Sequence, residues 1–536
     1  MRMKWHATRL TLISLCVALL GLPGLVFGRT IYVDDDATPA GDGSSWTTAF
    51  RYLQDAMTAV SAGDEIRVAE GLYRPDQGAG MTSGDRAANF RLVDGVTILG
   101  GFAGVGAADP DLHDPDRFAT ILSGDLAGDD DTDDPLARYN NSFCVVMAPA
   151  VGSDTILDGL TICHAYVADG HGGGLRNDGG SPLVRRGTFR DNLASDGDAG
   201  VYNDQGNLRI EHCRFLRNSG EDSGALCNHQ GSIVVIASEF IENDSEQSAA
   251  GVHNEEGDAV LFACVLRGNR SEDGTGAVSN QGDLRLLHCT FIGNEGGEGE
   301  GAVTCTDGHT VIANCLFVGN TGENAGAMSV QDASALLEHC TFHGNIATGG
   351  GAGAVTCRPP FWATVSSLQA IECIFWGNQS LADDLENPPM IGYDAQIAGD
   401  PNRVVVEYSC IEGWTPDRGG IGNLGADPLF VAPDQNDFHL KSQAGHWDAV
   451  SLAWVADDVT SPCIDAGYPN SPLGQEPFPN GARANMGVYG GTCEASKSWF
   501  DIEPGPGINA ADLNGDGRVD AEDYRLATLR WFQPAR

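Results

Sequence analysis

The chain has 536 residues, with 74 acidic side chains against 31 lysines and arginines and a formal net charge of −43. A surface this acidic repels nucleic acid and anionic membranes and favours divalent cations or cationic partners, so we expect no nucleic-acid ligand. Its length fits either two or three ordinary domains or one long repetitive domain.

Residues 1–28 have the layout of a secretory signal peptide. Basic residues at Arg2, Lys4 and Arg9 are followed by an apolar run and by small residues near Gly28. No later segment stays apolar over the ~18 residues that a membrane span needs, so we expect no membrane span after signal removal. The sequence therefore predicts a secreted protein, either extracellular or held at the cell surface.

Residues 29–170 are predicted to form an N-terminal cap and irregular early coils. Residues 46–60 are expected to be a helical cap, because an uncovered first coil would expose unpaired backbone groups. An acidic run from Asp129 to Asp134 fits two interpretations, a calcium-binding loop or a disordered acidic loop.

Residues 171–380 contain a repeat of 25 or 26 residues, broken by one insertion near its end. One column is aromatic or leucine, at Phe189, Phe215, Phe240, Leu266, Phe291, Phe317, Phe342 and Phe375. Three residues later stands an asparagine, at Asn192, Asn218, Asn243, Asn269, Asn294, Asn320, Asn345 and Asn378. A second asparagine column lies at Asn177, Asn203, Asn228, Asn254 and Asn280.

This period fits one coil of a parallel β-helix, which needs three short strands and three turns, or roughly 22–27 residues. In one unit, Val278 lies in the first predicted strand, Leu284 and Leu286 alternate in the second, and Cys289 and Phe291 alternate in the third. A leucine-rich repeat would need regularly spaced leucines and a helix in each unit, and a propeller blade needs ~40 residues. The sequence therefore predicts an all-β, single-stranded parallel β-helix.

The turns of this solenoid also repeat. Glycines recur at one turn, where we expect positive φ, at Gly206, Gly231, Gly257, Gly282 and Gly308. The asparagines are expected at another turn, in left-handed geometry and hydrogen-bonded along the stack. The third turn is acidic in residues 219–223, 243–248, 270–275 and 294–301, which we call the acidic ridge. This ridge either binds calcium or a polycation, or is a solvated edge that prevents aggregation.

Six cysteines lie two positions before the aromatic column, at Cys213, Cys264, Cys289, Cys315, Cys340 and Cys373. Such a column is expected to stack inside the solenoid, with ~4.8 Å between coils. A disulfide could just span that distance, but parallel Cβ vectors are a poor geometry for it. Ser238 stands in the same column, which indicates a requirement for a small side chain, so buried free thiols are favoured over disulfides.

The units "GAVSN" (residues 276–280) and "FIGN" (residues 291–294) resemble the GGA and FxxN repeats of polymorphic outer-membrane proteins. Those repeats belong to the right-handed parallel β-helix class that also includes pectate lyases. The resemblance covers about residues 172–378, and it implies a right-handed solenoid and a polysaccharide or cell-surface glycan as ligand or substrate. Residues 381–495, which have longer loops, are expected to be final coils and a C-terminal cap.

A calcium loop is predicted at the C-terminus, in residues 512–536, after a linker over residues 496–511. The stretch "DLNGDGRVDAED" places its oxygen donors at the spacing of an EF-hand loop, with side chains of Asp512, Asn514, Asp516, Asp520 and Asp523 and the backbone carbonyl of Arg518. A small helical tail follows. The segment resembles a dockerin, which implies a cohesin-like partner, although a dockerin carries two such loops and one is visible.

Two functions from different classes fit this sequence. The first is an exported calcium-binding scaffold that binds glycans or proteins in the manner of an adhesin. The second is a polysaccharide lyase or glycoside hydrolase, for which Arg185 and Arg186 are candidate bases and His171, in a Gly-His-Gly, resembles part of the polygalacturonase motif. Paired arginines near a turn more often neutralise acids, and no Arg-x-Lys follows the histidine, so the scaffold is preferred and an enzymatic activity stays uncertain.

Overall fold

The computed structural model describes residues 28–130, 136–168, 170–358, 366–381 and 392–499. Residues 1–27 of the predicted signal peptide and all the predicted calcium ligands lie outside the described residues, and both stay predictions. The predicted ligands are Asp512, Asn514, Asp516, Arg518, Asp520 and Asp523. Within the described residues, no helix has both the length and the apolar character needed to cross a membrane.

The chain winds through four parallel sheets in the same order on each regular coil, and we number them sheets I to IV in that order. Each strand pairs in parallel with the strand one coil further along the sequence. The predicted all-β parallel β-helix is therefore confirmed. Sheets I to III contain the three predicted strands, whereas sheet IV, built from strands of two residues at the start of the acidic turn, was not predicted.

In the described residues, sheet I consists of Phe90–Arg91, Val146–Pro149, Leu175–Asp178, Val201–Asp204, Leu226–His229, Val252–Glu255, Val278–Asn280, Val303–Cys305, Met328–Val330, Val355–Cys357 and Ile397–Gly399. Sheet II consists of Thr30–Val33, Glu65–Ala69, Thr97–Phe102, Ile156–Asp158, Leu183–Arg185, Asn207–Glu211, Ser232–Ile236, Asp258–Phe262, Asp283–Leu287, His309–Ala313, Ser334–Glu338, Ser367–Ile371 and Val404–Glu407.

Sheet III consists of Gly71–Tyr73, Thr120–Ser123, Leu160–Cys163, Thr188–Arg190, Arg214–Leu216, Glu239–Ile241, Val265–Arg267, Thr290–Ile292, Leu316–Val318, Thr341–His343, Ile374–Trp376 and Cys410–Ile411. Sheet IV consists of Tyr166–Val167, Leu193–Ala194, Ser219–Gly220, Asp244–Ser245, Arg270–Ser271, Glu295–Gly296, Thr321–Gly322, Ile346–Ala347 and Gln379–Ser380. The described helices are Trp46–Thr48, Leu53–Ala59, Ala137–Asn140, Tyr393–Gln396, Pro416–Arg418 and Pro433–Gln435.

The aromatic column forms a continuous stack inside the solenoid. The ring of Phe317 lies 4.6 Å from that of Phe291 and 4.4 Å from that of Phe342, with nearly parallel planes. All three side chains are fully buried. The repeat length in the sequence therefore equals one coil, and like side chains pack on like.

Both asparagine columns form the predicted ladders. The Nδ2 of Asn294 donates to Oδ1 of Asn320 over 2.8 Å, and the Nδ2 of Asn228 donates to Oδ1 of Asn254 over 2.7 Å. The predicted left-handed geometry of these asparagines was wrong. The left-handed residue directly precedes the asparagine in one column, as at Arg217 (φ 50°), and comes two residues after it in the other, as at Gln230 (φ 51°). The ladder then satisfies buried backbone groups that the tight turn leaves without partners.

The glycine turn needs glycine for a different reason than the one predicted. Gly308 has the expected positive φ of 71°, but at Gly206, Gly231 and Gly257 the left-handed residue comes just before the glycine, as at Gln230 (φ 51°). A Cβ on Gly231 would lie 2.5 Å from Nδ2 of Asn203 and 2.6 Å from the carbonyl oxygen of Gly206. The close approach of the neighbouring coil therefore excludes a side chain there.

The cysteine column is buried and its thiols are free, as predicted. The Sγ of Cys289 donates to the carbonyl oxygens of Leu261 and Leu287, each over 3.4 Å. These thiols therefore fill small spaces beside the corner between sheets II and III.

Both ends of the solenoid carry additional structure. At the N-terminal end, the helix Leu53–Ala59 buries Leu53, Ala56 and Met57 against the first coils. At the other end, residues 427–499 pack on the outer face of sheet III, where Phe430 and Phe438 join the buried cluster that contains Leu316. This segment contains two antiparallel strand pairs, Phe430–Ala432 with Asp437–Leu440 and His446–Asp448 with Ala453–Val455.

Candidate functional site

The outer face of sheet I presents hydrogen-bonding side chains on successive coils, and we call this face the sheet I strip. The second position of each strand is occupied by Arg176, Tyr202, Cys227, His253, Ser279, Thr304, Ser329 and Thr356. Two residues further along stand Asp178, Asp204, His229, Glu255, Gln281, Thr306, Gln331 and Arg358. Eight rungs at ~4.8 Å make a strip about 34 Å long.

A column of single parallel bridges runs beside the strip, between sheet IV and sheet I, and we call it the bridge column. It consists of Asp198, Ser223, Ala249 and Thr275, and continues through Glu300 and Ala325. The bridge column lies against the second positions of the strip, which explains why Tyr202 and His253 are only 8% and 6% exposed. The two columns meet along a line that follows the solenoid, which we call the polar groove, and most of its side chains are buried.

At the N-terminal end of this groove, titratable side chains from successive coils converge. The Nδ1 of His171 lies 2.7 Å from Oδ2 of Asp198, and the His171 ring stacks on Tyr202 with centroids 4.7 Å apart. The Sγ of Cys227 lies 4.0 Å from Nδ1 of His253. Asp198, Cys227 and His253 are all buried, so this cluster belongs to the floor of the groove.

The electrostatics of the cluster are dominated by Asp198. Its hydrogen bond raises the pKa of His171 above the ordinary value. Burial raises the pKa of the Cys227 thiol well above its usual range, and the nearby negative charge of Asp198 adds to the effect. His171 is the member of the cluster that reaches solvent, because 40% of its side chain is exposed.

Further along the groove, a second group of side chains is linked by hydrogen bonds. The hydroxyl of Thr304 donates to a carboxylate oxygen of Glu300 and lies 2.5 Å from the hydroxyl of Thr275. The Nε2 of Gln331 donates to the other oxygen of Glu300 over 3.4 Å. Burial raises the pKa of Glu300, although the hydrogen bond from Thr304 opposes that shift.

The acidic ridge lies in register, as predicted. The backbone N–H of Gln247 donates to the carbonyl of Glu221, that of Asp273 donates to Glu246, and that of Glu298 donates to Glu272. Successive acidic loops are therefore held one coil apart. They place a line of negative charge beside the polar groove.

Arg185 and Arg186, which were candidate bases but were expected to neutralise acids, both contact the same aspartate. The Nε of Arg185 donates to Oδ2 of Asp158 over 2.7 Å, and the Nε and a terminal nitrogen of Arg186 donate to both oxygens of the same carboxylate, each over 2.7 Å. The Asp158 side chain is completely buried. Both arginines therefore neutralise a buried acid beside sheet II and lie away from the groove.

The acidic run at Asp129–Asp134 lies partly outside the described residues, which include its first two members. Asp125, Asp130 and His164 place one ligand atom each within 4.8 Å of the others. Nearby, Oδ1 of Asp130 and the side-chain oxygens of Asn140 and Asn141 are buried and accept no hydrogen bond from the described residues, which exclude residues 131–135. Carboxylate and amide oxygens in this condition suit a hard cation such as calcium.

The sequence predictions did not identify Asp198, Cys227 and His253. A signal was available in the short stretches "VYND", "LCNH" and "VHNE", where a different side chain precedes each asparagine of the sheet I ladder. The columns that repeat define the fold, whereas this column varies on an outer face. The residue before each asparagine of the sheet I ladder differs from coil to coil, and this variation is the sequence feature that could have indicated the groove.

Comparison with known proteins gives limited similarity. A family model described as "Disaggregatase related" matches residues 409–467. The solved structure "Crystal structure of pectate lyase Pel9A" is similar over 87% of this chain and 97% of that chain, with 13% sequence identity and a TM-score of 0.35. No curated protein matches the chain.

Proposed function

We propose that this protein is an exported parallel β-helix scaffold that binds an extended polysaccharide or cell-surface glycan along the sheet I strip. The observation that carries the proposal is the outer column of the strip, from Asp178 to Arg358, which places a hydrogen-bonding side chain in contact with solvent at each rung for about 34 Å. The second-position side chains beside it are largely buried. A linear polymer offers hydroxyl groups at regular intervals, so it can use successive rungs in the same way. A compact ligand would contact only a few of them.

The charge of the protein narrows the class of glycan. The acidic ridge lies beside the groove, and the whole chain has a formal net charge of −43. An anionic polysaccharide such as a polyuronate is repelled by this surface unless divalent cations intervene. We therefore expect neutral or amino-bearing polysaccharides to bind directly, and uronate polymers to bind only with calcium.

A second surface supports glycan binding from the C-terminal segment. Trp447 and Trp454 pair across two antiparallel strands, with ring centroids 5.4 Å apart. Between them, Val450 and Leu452 are 94% and 72% exposed. Aromatic side chains with an apolar face and a polar N–H are suited to stacking on sugar rings. The ammonium of Lys497 lies over one face of Trp454, 4.0 Å from the ring centroid, so Trp447 is the proposed stacking ring.

Calcium enters the proposal as a stabilising ion at two places. The early loop offers Asp125 and Asp130 with the buried side-chain oxygens of Asn140 and Asn141. The C-terminal loop offers the predicted ligands Asp512, Asn514, Asp516, Arg518, Asp520 and Asp523. By its resemblance to half a dockerin, that loop is also the proposed contact for a cohesin-like partner protein.

The test is a panel of neutral, amino-bearing and uronate polysaccharides, assayed for retention of the protein and for release of products, with calcium and with chelator. We expect retention without cleavage. The double variant Gln281→Ala/Thr306→Ala on the strip should bind about tenfold more weakly, since two hydrogen bonds are lost. The matched control Gln369→Ala on the outer face of sheet II should bind normally.

Two outcomes would contradict the scaffold. New reducing or unsaturated ends would show that the protein cleaves polysaccharide, which is the alternative function. Equal loss of binding in the strip variant and the sheet II control would show that the strip is not the binding surface.

A further inference from the structure

Three side chains of different chemistry converge from three successive coils at the floor of the groove. Asp198 comes from the bridge column, and Cys227 and His253 come from neighbouring strands of sheet I. One ligand atom of each lies within 4.8 Å of the other two, and all three residues are buried. A carboxylate oxygen, a sulfur and an imidazole nitrogen therefore face one another away from bulk water.

Two polar atoms of this group have no hydrogen-bond partner among the residues that the structure describes. They are Oδ1 of Asp198 and Nε2 of His253. The other carboxylate oxygen of Asp198 is engaged with Nδ1 of His171. Buried polar atoms in folded proteins are nearly always paired, so unpaired atoms within one cluster point to a missing partner.

The fold does not require these side chains. Elsewhere the bridge column holds Ser223 and Ala249, and the second position of sheet I holds Ser279 and Ser329. The same backbone positions thus accept small, neutral residues. Packing of the coils therefore does not explain why an aspartate, a cysteine and a histidine occur together on adjacent coils.

We propose that Asp198, Cys227 and His253 form a binding site for a zinc-class divalent transition metal. The mixed oxygen, sulfur and nitrogen ligands suit zinc, whereas calcium and magnesium prefer oxygen alone. His171 holds the Asp198 carboxylate through Oδ2 and leaves Oδ1 for the metal, as outer hydrogen bonds commonly do around metal ligands. The thiol proton is released to solvent when the metal binds.

Such a metal would link three consecutive coils at the N-terminal end of the groove. Its chemistry differs from that of the calcium sites proposed above, because it depends on a thiolate. This dependence gives the site a spectroscopic signature, since cobalt(II) bound to a thiolate absorbs in the near ultraviolet. The proposal does not depend on glycan binding.

The experiment titrates the reduced full-length protein with cobalt(II) in excess calcium, which occupies sites made of oxygen alone. We expect one equivalent of cobalt with a thiolate-to-metal band that zinc displaces. Cys227→Ser should abolish the band, and His253→Ser should weaken cobalt binding at least tenfold. Both variants place serine where Ser279 and Ser329 already stand in the same column, so folding should be preserved.

The matched control is Cys264→Ser, which changes a buried thiol in the inner column where Ser238 occurs naturally. It should keep the cobalt band. The proposal is overturned if the unmodified protein shows no thiolate band at micromolar concentrations. It is equally overturned if folded Cys227→Ser, verified by circular dichroism, retains the band.

Discussion

The regular coils over residues 171–380 and the C-terminal segment over residues 427–499 reach a buried core by different means. In the coils, each side chain packs on its own counterpart one turn away, as Phe291, Phe317 and Phe342 do. In the C-terminal segment, Phe438 packs on Phe430 of the same segment and on His343 of sheet III, and neither contact recurs from coil to coil. Contacts in the coils therefore join residues one repeat apart, whereas the C-terminal segment is held against the coils by contacts between residues much further apart in sequence, such as Phe438 and His343.

The largest expected effect comes from a core phenylalanine in each region. We expect Phe317→Ala and Phe438→Ala each to cost roughly 3–5 kcal/mol, because both side chains are fully buried. Stacked coils depend on their neighbours, so Phe317→Ala should raise hydrogen exchange in the coils on both sides of it. Phe438→Ala should raise exchange mainly in residues 427–499. Hydrogen-exchange mass spectrometry measures both patterns.

The control for this comparison is Phe317→Leu, since Leu266 fills the same column between Phe240 and Phe291. We expect it to cost far less than Phe317→Ala and to leave the exchange pattern unchanged. If Phe438→Ala loosened the coils as broadly as Phe317→Ala, the two regions would form one cooperative unit and the proposed difference between them would be wrong.

The sequence predicted the coils well because their contacts recur every 25 or 26 residues. The aromatic stack, both asparagine ladders and the buried thiols follow from columns that are visible in the repeat. The position of the C-terminal segment was not predictable in this way. The Nδ2 of Asn314 donates to the carbonyl of Gly490, 176 residues away, and no periodic pattern in the sequence predicts such a contact.

Glu476 lies in the C-terminal segment, and we expect it to make the stability of that segment depend on pH, with an effect smaller than that of the core phenylalanines. Burial raises its pKa to about 7, although the backbone N–H groups of Asn485 and Gly491 donate to its Oε1. An unfolded glutamate has a pKa of about 4.3, so between these values the folded state holds the proton more tightly. Stability therefore falls as the pH rises from about 4.3 to about 7, and stays lower above it.

Glu476→Gln should remove this pH dependence and stabilise the C-terminal segment by roughly 2–3 kcal/mol at pH 8. Denaturant unfolding at pH 5, 6.5 and 8 measures the effect. Glu272→Gln, an exposed change on the acidic ridge of the coils, is the control and should keep the pH dependence of the unmodified protein. If the stability of Glu476→Gln changed with pH as much as that of the unmodified protein, Glu476 would not be the group responsible.

The candidate site was less predictable than the fold for a physical reason. Inner columns must repeat because each coil packs on the next, whereas outer positions such as Cys227 and His253 are free to differ from coil to coil. The acidic ridge was predictable because its composition recurs. From the sequence, the paired arginines fitted either a catalytic base or neutralisation of acids. Both contact the buried Asp158, which favours neutralisation.

The smallest expected effect is that of Arg185→Ala, which separates the structural from the catalytic interpretation. The Asp158 carboxylate would keep both hydrogen bonds from Arg186, and 40% of the Arg185 side chain is exposed, so we expect a loss of about 0.5–1 kcal/mol. Arg186→Ala should lower the free energy of unfolding by more than Arg185→Ala does, since it removes two hydrogen bonds from a buried acid. Glycan retention should be unchanged in both variants, because neither arginine lies on the sheet I strip. Loss of polysaccharide cleavage in Arg185→Ala without loss of stability would instead identify this arginine as a catalytic base.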